Sequence, residues 1–378
     1  MIKQYLRKYL GNVPGWRTKK KYLVIESDDW GSVRMPDSKA RTGLLKKGVI
    51  DEKNRYNRYD TIATRQDLED LFAVLNRHKD KDGNPAVMTP VTISGNPDFD
   101  RIKTVDFEKY HLEPFPRTLD TYYGEGNKIM ETWKEGFKSG VFKPQFHGRE
   151  HLNVAEWMRS LRNGDKTNRI AFDHGFWGLS LGEGDKSRIS SFQAAFDFYE
   201  PADLRVHEQS IREGLQMFES IFGYKATFFV PPNGPFNNSL EKTAAENGIR
   251  YMSKSKIQKE PIGQGKTQSV YHRLGQKNEL GQIYITRNCI FEPSEEGRDW
   301  VDSCLSDIKI AFRMRKPAII SSHRVNYIGT LEKENRERGL RQLDDLLSAV
   351  VKNWPEVEFI TSDQLGDIIA EDLGVEWK

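Results

Sequence analysis

The sequence predicts an α/β fold, a distorted (β/α)7–8 barrel. Three features carry that expectation. About eight short apolar runs recur along 378 residues, helical patterns separate many of them, and acids or histidines stand just after several of the runs. Strands alternating with helices build a parallel sheet, and about eight of them suit a closed barrel better than an open sheet.

The first run, residues 22–26 (YLVIE), reads as a buried strand. Residues 86–94 form the second, interrupted by Pro90, and 141–146 a short third. Residues 226–230, 250–252, 282–286, 317–321 and 357–361 supply the rest. Between them, Leu68, Leu71, Phe72 and Leu75 repeat at helical spacing within 65–78. Asn153 followed by Glu156 reads as an N-cap with an acid at the third helical position, opening a helix through Trp157, Met158 and Leu161. Further helices are expected at 210–222, 238–247, 299–312 and 332–353. A stretch at about 165–202, rich in Gly, Ser, Asp and aromatics, reads as an insertion. The expected organisation is a basic arm, 1–21, and one barrel domain, 22–378.

Composition removes several classes of function. With 58 basic and 55 acidic residues, a net charge of +3 gives no general pull toward nucleic acid. Two cysteines, Cys289 and Cys304, exclude a disulfide scaffold and a Cys-rich zinc module. No 18 consecutive residues are apolar, so no transmembrane segment is expected. The basic N-terminus has no apolar run behind it, unlike a signal peptide, which makes the expected location cytoplasmic. Tyr5, Leu6, Tyr9 and Leu10 share a helical stripe. That stripe suits either a short helix packed on the domain or an amphipathic arm touching a membrane or partner.

Four short segments bear chemistry. Glu26-Ser27-Asp28-Asp29-Trp30-Gly31 ends the first strand. It reads as a turn, or as crowded carboxylates that need a cation or proton to coexist. His147 and His151 stand four apart between a strand and the N-cap Asn153; they are surface histidines or a pair converging on one ion. His323 follows the 317–321 strand, where a lone histidine is either structural or catalytic. Val230-Pro231-Pro232-Asn233-Gly234 makes a rigid turn able to hold a backbone N–H in place.

In this order the four resemble the motifs of the polysaccharide deacetylase family, the NodB-type carbohydrate esterases, as a divergent branch. The family's Thr-Phe-Asp-Asp-Gly is similar to Glu26-Ser27-Asp28-Asp29-Trp30, and its His-Ser/Thr-x-x-His to His147-Gly148-Arg149-Glu150-His151. Its Arg-x-Pro-Tyr looks like Val230-Pro231-Pro232-Asn233, and its Leu-x-His like the segment ending at His323. The resemblance implies that Asp29, His147 and His151 hold one divalent metal, zinc foremost, with cobalt, nickel and manganese as alternatives. It makes Asp28 the general base and His323 the general acid.

The departures carry their own expectations. Val230 stands where the family has an arginine beside the base, so Arg287 or Arg324, each just past a strand, is the candidate cation. Asn233 replaces the family's tyrosine at the substrate and oxyanion side. Trp30, Phe176, Trp177 and Tyr327 are candidate platforms for sugar rings. The implied activity is removal of an N-acetyl group from an amino sugar or oligosaccharide, an intracellular intermediate of surface-polysaccharide synthesis. The alternatives are hydrolysis of a non-sugar amide and a non-catalytic carbohydrate-binding homologue.

Overall fold

A computed structural model describes residues 8–179 and 189–377. Its strands are β1 (Lys21–Trp30), β2 (Met88–Ile93), β3 (Gly95–Pro97), β4 (Leu112–Pro114), β5 (Gln145–Gly148), β6 (Phe228–Phe229) and β7 (Tyr251–Ser253). There follow β8 (Ile257–Gly263), β9 (Lys266–Tyr271), β10 (Ile283–Ile285), β11 (Cys289–Ile290), β12 (Ala318–His323) and β13 (Val357–Phe359). All eight expected strands are present. β3–β4 and β8–β9 are small antiparallel pairs outside the main sheet.

The main sheet runs β10-β7-β6-β5-β2-β1-β12-β11, with every pairing parallel and β13 added along β1. Its two edge strands are neighbours in the chain. Only residues 286–288 separate β10, bonded to β7, from β11, bonded to β12. One extended segment therefore serves two partners and closes the circuit into a barrel. Helices cover the outside, as parallel strands buried on both faces require.

Alternation along the strands sorts the side chains. Leu23 and Ile25 join the outer core beneath helices Arg65–Arg77 and Lys333–Asn353, while Val24 joins the barrel interior with Ile319, Ile283 and Ile285. The C-terminal helix, Ser362–Asp372, plugs the interior at the strands' N-terminal end through Leu365 and Ile369. Pro90 is tolerated in β2 because the β1–β2 register shifts just beyond its partner Ser27.

Helix Asp203–Phe222 starts seven residues before the expected Ser210. That serine is a buried residue inside the helix, its hydroxyl facing Glu150. Asn153 does cap its helix, accepting from the Glu156 N–H at 3.1 Å. Within the stretch expected to be an insertion lies helix Lys166–Asp173, and Phe176, Trp177 and Phe192 pack with Trp157 in a second apolar cluster. Residues 180–188 of that stretch lie outside the described residues, as do Tyr5 and Leu6. The rest of the N-terminal segment is clamped to the barrel, where Lys316 Nζ donates to the carbonyls of Pro14, Gly15 and Trp16 at 2.6–2.8 Å. Among the described residues no helix is long and apolar enough to cross a membrane.

Candidate active site

Three inward columns change from apolar to polar toward the C-terminal ends of the strands. They read Val24–Glu26–Asp28, Ile319–Ser321–His323 and Ile283–Ile285–Arg287. Parallel pairing sets Asp28 directly opposite His323. The columns meet a cavity of about 900 Å³ at this end of the barrel.

Arg287 lies across two acids of β1. Its Nη1 and Nη2 donate to the Asp28 carboxylate, each at 2.6 Å, and its Nε to Glu26 at 2.5 Å. Burial alone would raise the Asp28 pKa, but the guanidinium holds it below the ordinary carboxylate value. Glu26, fully buried, keeps a raised pKa because desolvation outweighs its share of the same arginine. Its other oxygen accepts from Ser362 Oγ at 3.0 Å. Of the two candidate arginines, Arg287 thus stands beside Asp28. Arg324 does not: it is completely buried against Asp60 at 2.7 Å and lines no part of the cavity.

His323 has its own support. Glu292 accepts from its Nδ1 at 2.6 Å and binds Arg55 at 2.8 Å and Asn326 at 2.8 Å. Burial disfavours the imidazolium, but Glu292 and the nearby carboxylates outweigh it and push the pKa up to about 9. Nε2 points toward Asp28, 3.9 Å away.

Asp29 departs from its column. A register shift in the β1–β2 pairing accompanies left-handed backbone at Asp29 (φ +73°), costly for a residue with a Cβ. The turn carries its carboxylate to the histidines, with Oδ1 at 3.3 Å from His147 Nε2 and 3.0 Å from His151 Nε2. Gly148 (φ +127°) permits the bend between the two histidines.

This donor set fits a divalent ion. The His147 Nδ1–H donates to the Val230 carbonyl at 2.7 Å, which turns Nε2 toward the Asp29 carboxylate, free to bind an ion between them when it carries no proton. A proton or a divalent cation between them satisfies both. Donors about 2.0–2.1 Å from a tetrahedral zinc sit about 3.3 Å apart, close to what is found. Burial lowers the His151 pKa, favouring the neutral ring that binds metals. The residues that could hold the ion are therefore Asp29, His147 and His151.

The aromatic candidates do not line the cavity, although Trp177 packs against His151 with ring centres 5.9 Å apart. Trp30 is wholly buried against Trp133 and Phe142, its N–H on Ser27 Oγ at 2.9 Å, so it offers no face to a sugar. The irregularity at Asp28–Asp29 turns it into the outer core. Phe176, Trp177 and Tyr327 are likewise core residues. Asn233 lines the cavity from a left-handed turn (φ +59°). Residue-by-residue reading missed Glu292, Arg34 and Tyr56. Arg34 stacks on Tyr56 at 4.5 Å, and Tyr56 meets His323 edge-on, with ring centres 5.7 Å apart. None of the three sits in a local pattern; Glu292 could be found only as an acid just after a strand beside His323.

Fold and site together define a parallel α/β barrel with a histidine–carboxylate cluster at the C-terminal ends of its strands. The resemblance to polysaccharide deacetylases recurs among solved structures. One match is a "probable polysaccharide deacetylase" of Pseudomonas aeruginosa PAO1, at 8% identity and TM-score 0.47, covering 95% of this chain and 94% of that one. Others are the Puue allantoinase (10%, 0.47, 96% and 96%) and the peptidoglycan deacetylase PdaC of Bacillus subtilis (11%, 0.38, 95% and 98%). No protein-family model matches the chain, and no curated protein matches its sequence.

Proposed function

We propose that the protein is a metal-dependent hydrolase that removes the N-acetyl group from an amino-sugar substrate. The observation that carries this is the buried Asp29–His147–His151 cluster, flanked by two separately supported proton-handling groups, Asp28 and His323. A bound divalent ion, zinc foremost, would supply Lewis acidity toward the amide carbonyl and an attacking water. Asp28, ionised by Arg287, accepts the proton of that water. His323, protonated through neutral pH, delivers a proton to the leaving nitrogen. Asn233, which lines the cavity, would help hold the amide oxygen and its neighbours.

The substrate proposed is an N-acetylated hexosamine or oligosaccharide within a cytoplasmic route to surface polysaccharide. With Arg287 beside Asp28, both proton-handling groups stand next to the metal-type cluster, which favours catalysis over mere binding. The test is acetate release from N-acetylglucosamine oligomers and from a nucleotide-linked N-acetylhexosamine, with and without chelator. Release that chelation abolishes and zinc restores is expected. Metal-loaded protein that releases no acetate from either would overturn the proposal.

A further inference from the structure

The cavity extends beyond the catalytic groups to an end walled by the N-terminal segment, the foot of the β8–β9 hairpin and β11. Three aliphatic side chains on this wall face solvent: Leu10 at 64% exposure, Ile257 at 53% and Ile290 at 50%. They come from three separate stretches of chain, so no single amphipathic element accounts for them. Exposed aliphatics converging on the rim of a cleft mark a surface for an apolar partner.

Lys256 lies in the same wall. Its ammonium has no ion pair or side-chain hydrogen-bond partner among the described residues. Lys254, two positions earlier, is paired with Glu241 at 2.9 Å, and the nearby Asp307 is engaged by Lys8. Burial lowers the Lys256 pKa, as expected of an ammonium short of counter-charge. An anion entering the cleft completes it.

Building on the deacetylase reading of the metal cluster, we propose that this end of the cleft takes the phosphate of a lipid-linked amino sugar. The phosphate rests on Lys256, and the first carbons of the lipid lie across Leu10, Ile257 and Ile290. The spacing suits this. Ile290 follows Arg287 by three residues of extended chain, about 10 Å. A sugar held at Asp28 and His323 therefore presents its linking group to the lip. A nucleotide would satisfy the lysine but leave three aliphatic side chains against a polar base and ribose.

The test measures binding to the purified full chain by calorimetry, using three probes: inorganic phosphate, uridine diphosphate, and decyl phosphate below its micelle concentration. Decyl phosphate should bind at least tenfold tighter than either of the others. Lys256→Gln and Ile290→Asp should each weaken it tenfold or more; Ile257→Asp, at another exposed position, repeats the apolar test should Ile290→Asp fail to fold. Tighter binding of uridine diphosphate would overturn the proposal in favour of a nucleotide-linked substrate. Equal affinity for phosphate and decyl phosphate, or no effect of Lys256→Gln, would overturn it outright. His147→Ala should leave decyl phosphate binding intact; metal-loaded wild-type protein that binds decyl phosphate but releases no acetate would sink the metal reading alone.

Discussion

On the β5 side of the cavity, Asp29, His147 and His151 face one another, and no lysine or arginine among the described residues pairs with Asp29. On the β12 side, Asp28 and Glu26 share Arg287, and Glu292 lies between His323 and Arg55. The first side could take a cation from outside the chain. The second balances its charges internally, so it stays poised whether or not an ion is present. On the proposed function, the contrast separates holding an ion from moving a proton, and each can be removed alone.

The largest effect is expected from His147→Ala or His151→Ala. Either should abolish metal uptake and reduce acetate release by about 10³-fold or more, while the thermal unfolding of the metal-free protein changes little. Activity that survives without measurable metal would erase the distinction between the two sides. Asp28→Asn and His323→Ala come next, each lowering kcat by about 10²–10⁴-fold with metal content unchanged by elemental analysis.

Arg287→Met attacks the internal balance itself. Two buried carboxylates would lose their cation, at a cost of about 3–5 kcal/mol in denaturant unfolding. Adding Glu26→Gln should recover part of that stability but not the rate. Full recovery of both would reduce Arg287 to a structural counter-ion.

Glu292→Gln is expected to act through pH. The folded pKa of His323, about 9, lies above the ordinary histidine value, so its pairing stabilises the fold fully below about pH 6.5 and is lost as pH rises through about 9. Without the Glu292 charge the imidazolium loses support and its pKa falls. The alkaline limb of kcat should then move to lower pH, costing about tenfold at pH 8 and little at pH 6. The smallest effect is expected from Asn233→Gly. It relieves left-handed backbone for a gain of a few tenths of a kcal/mol and raises KM a few-fold.

The ion-receiving side was the more legible from sequence, because its residues lie in tight local patterns: paired carboxylates at a strand end and histidines four apart. The β12 side was legible only in part. Arg287 and Arg324 both follow strands, and motif position could not choose between them. Strand parity could have done so: Arg287 continues the inward alternation of Ile283 and Ile285, whereas Arg324 is adjacent to inward His323 and turns toward Asp60. Glu292 lies in coil, where no periodicity points. Trp30 misled because the register shift at Asp28–Asp29, invisible in composition, sends it into the core. The eight strands were readable from apolar runs. Helix Gly126–Lys138 was not: Gly126, Thr132 and Gly136 sit on its buried face, and Gly136 is there because a Cβ would strike the Phe72 ring at 2.4 Å.

The three-residue bridge between β10 and β11 has a consequence for how the chain tolerates change in length. One residue added between Ile285 and Arg287 would leave both hydrogen-bonded halves able to pair with β7 and β12, yet it would reverse the facing of Arg287. Glu26 and Asp28 would then lose the cation they share, at several kcal/mol. The pairing of Arg287 thus favours the correctly registered closure. A register error in the final stave shows up as unpaired buried charge, and the misclosed form is disfavoured before it can persist.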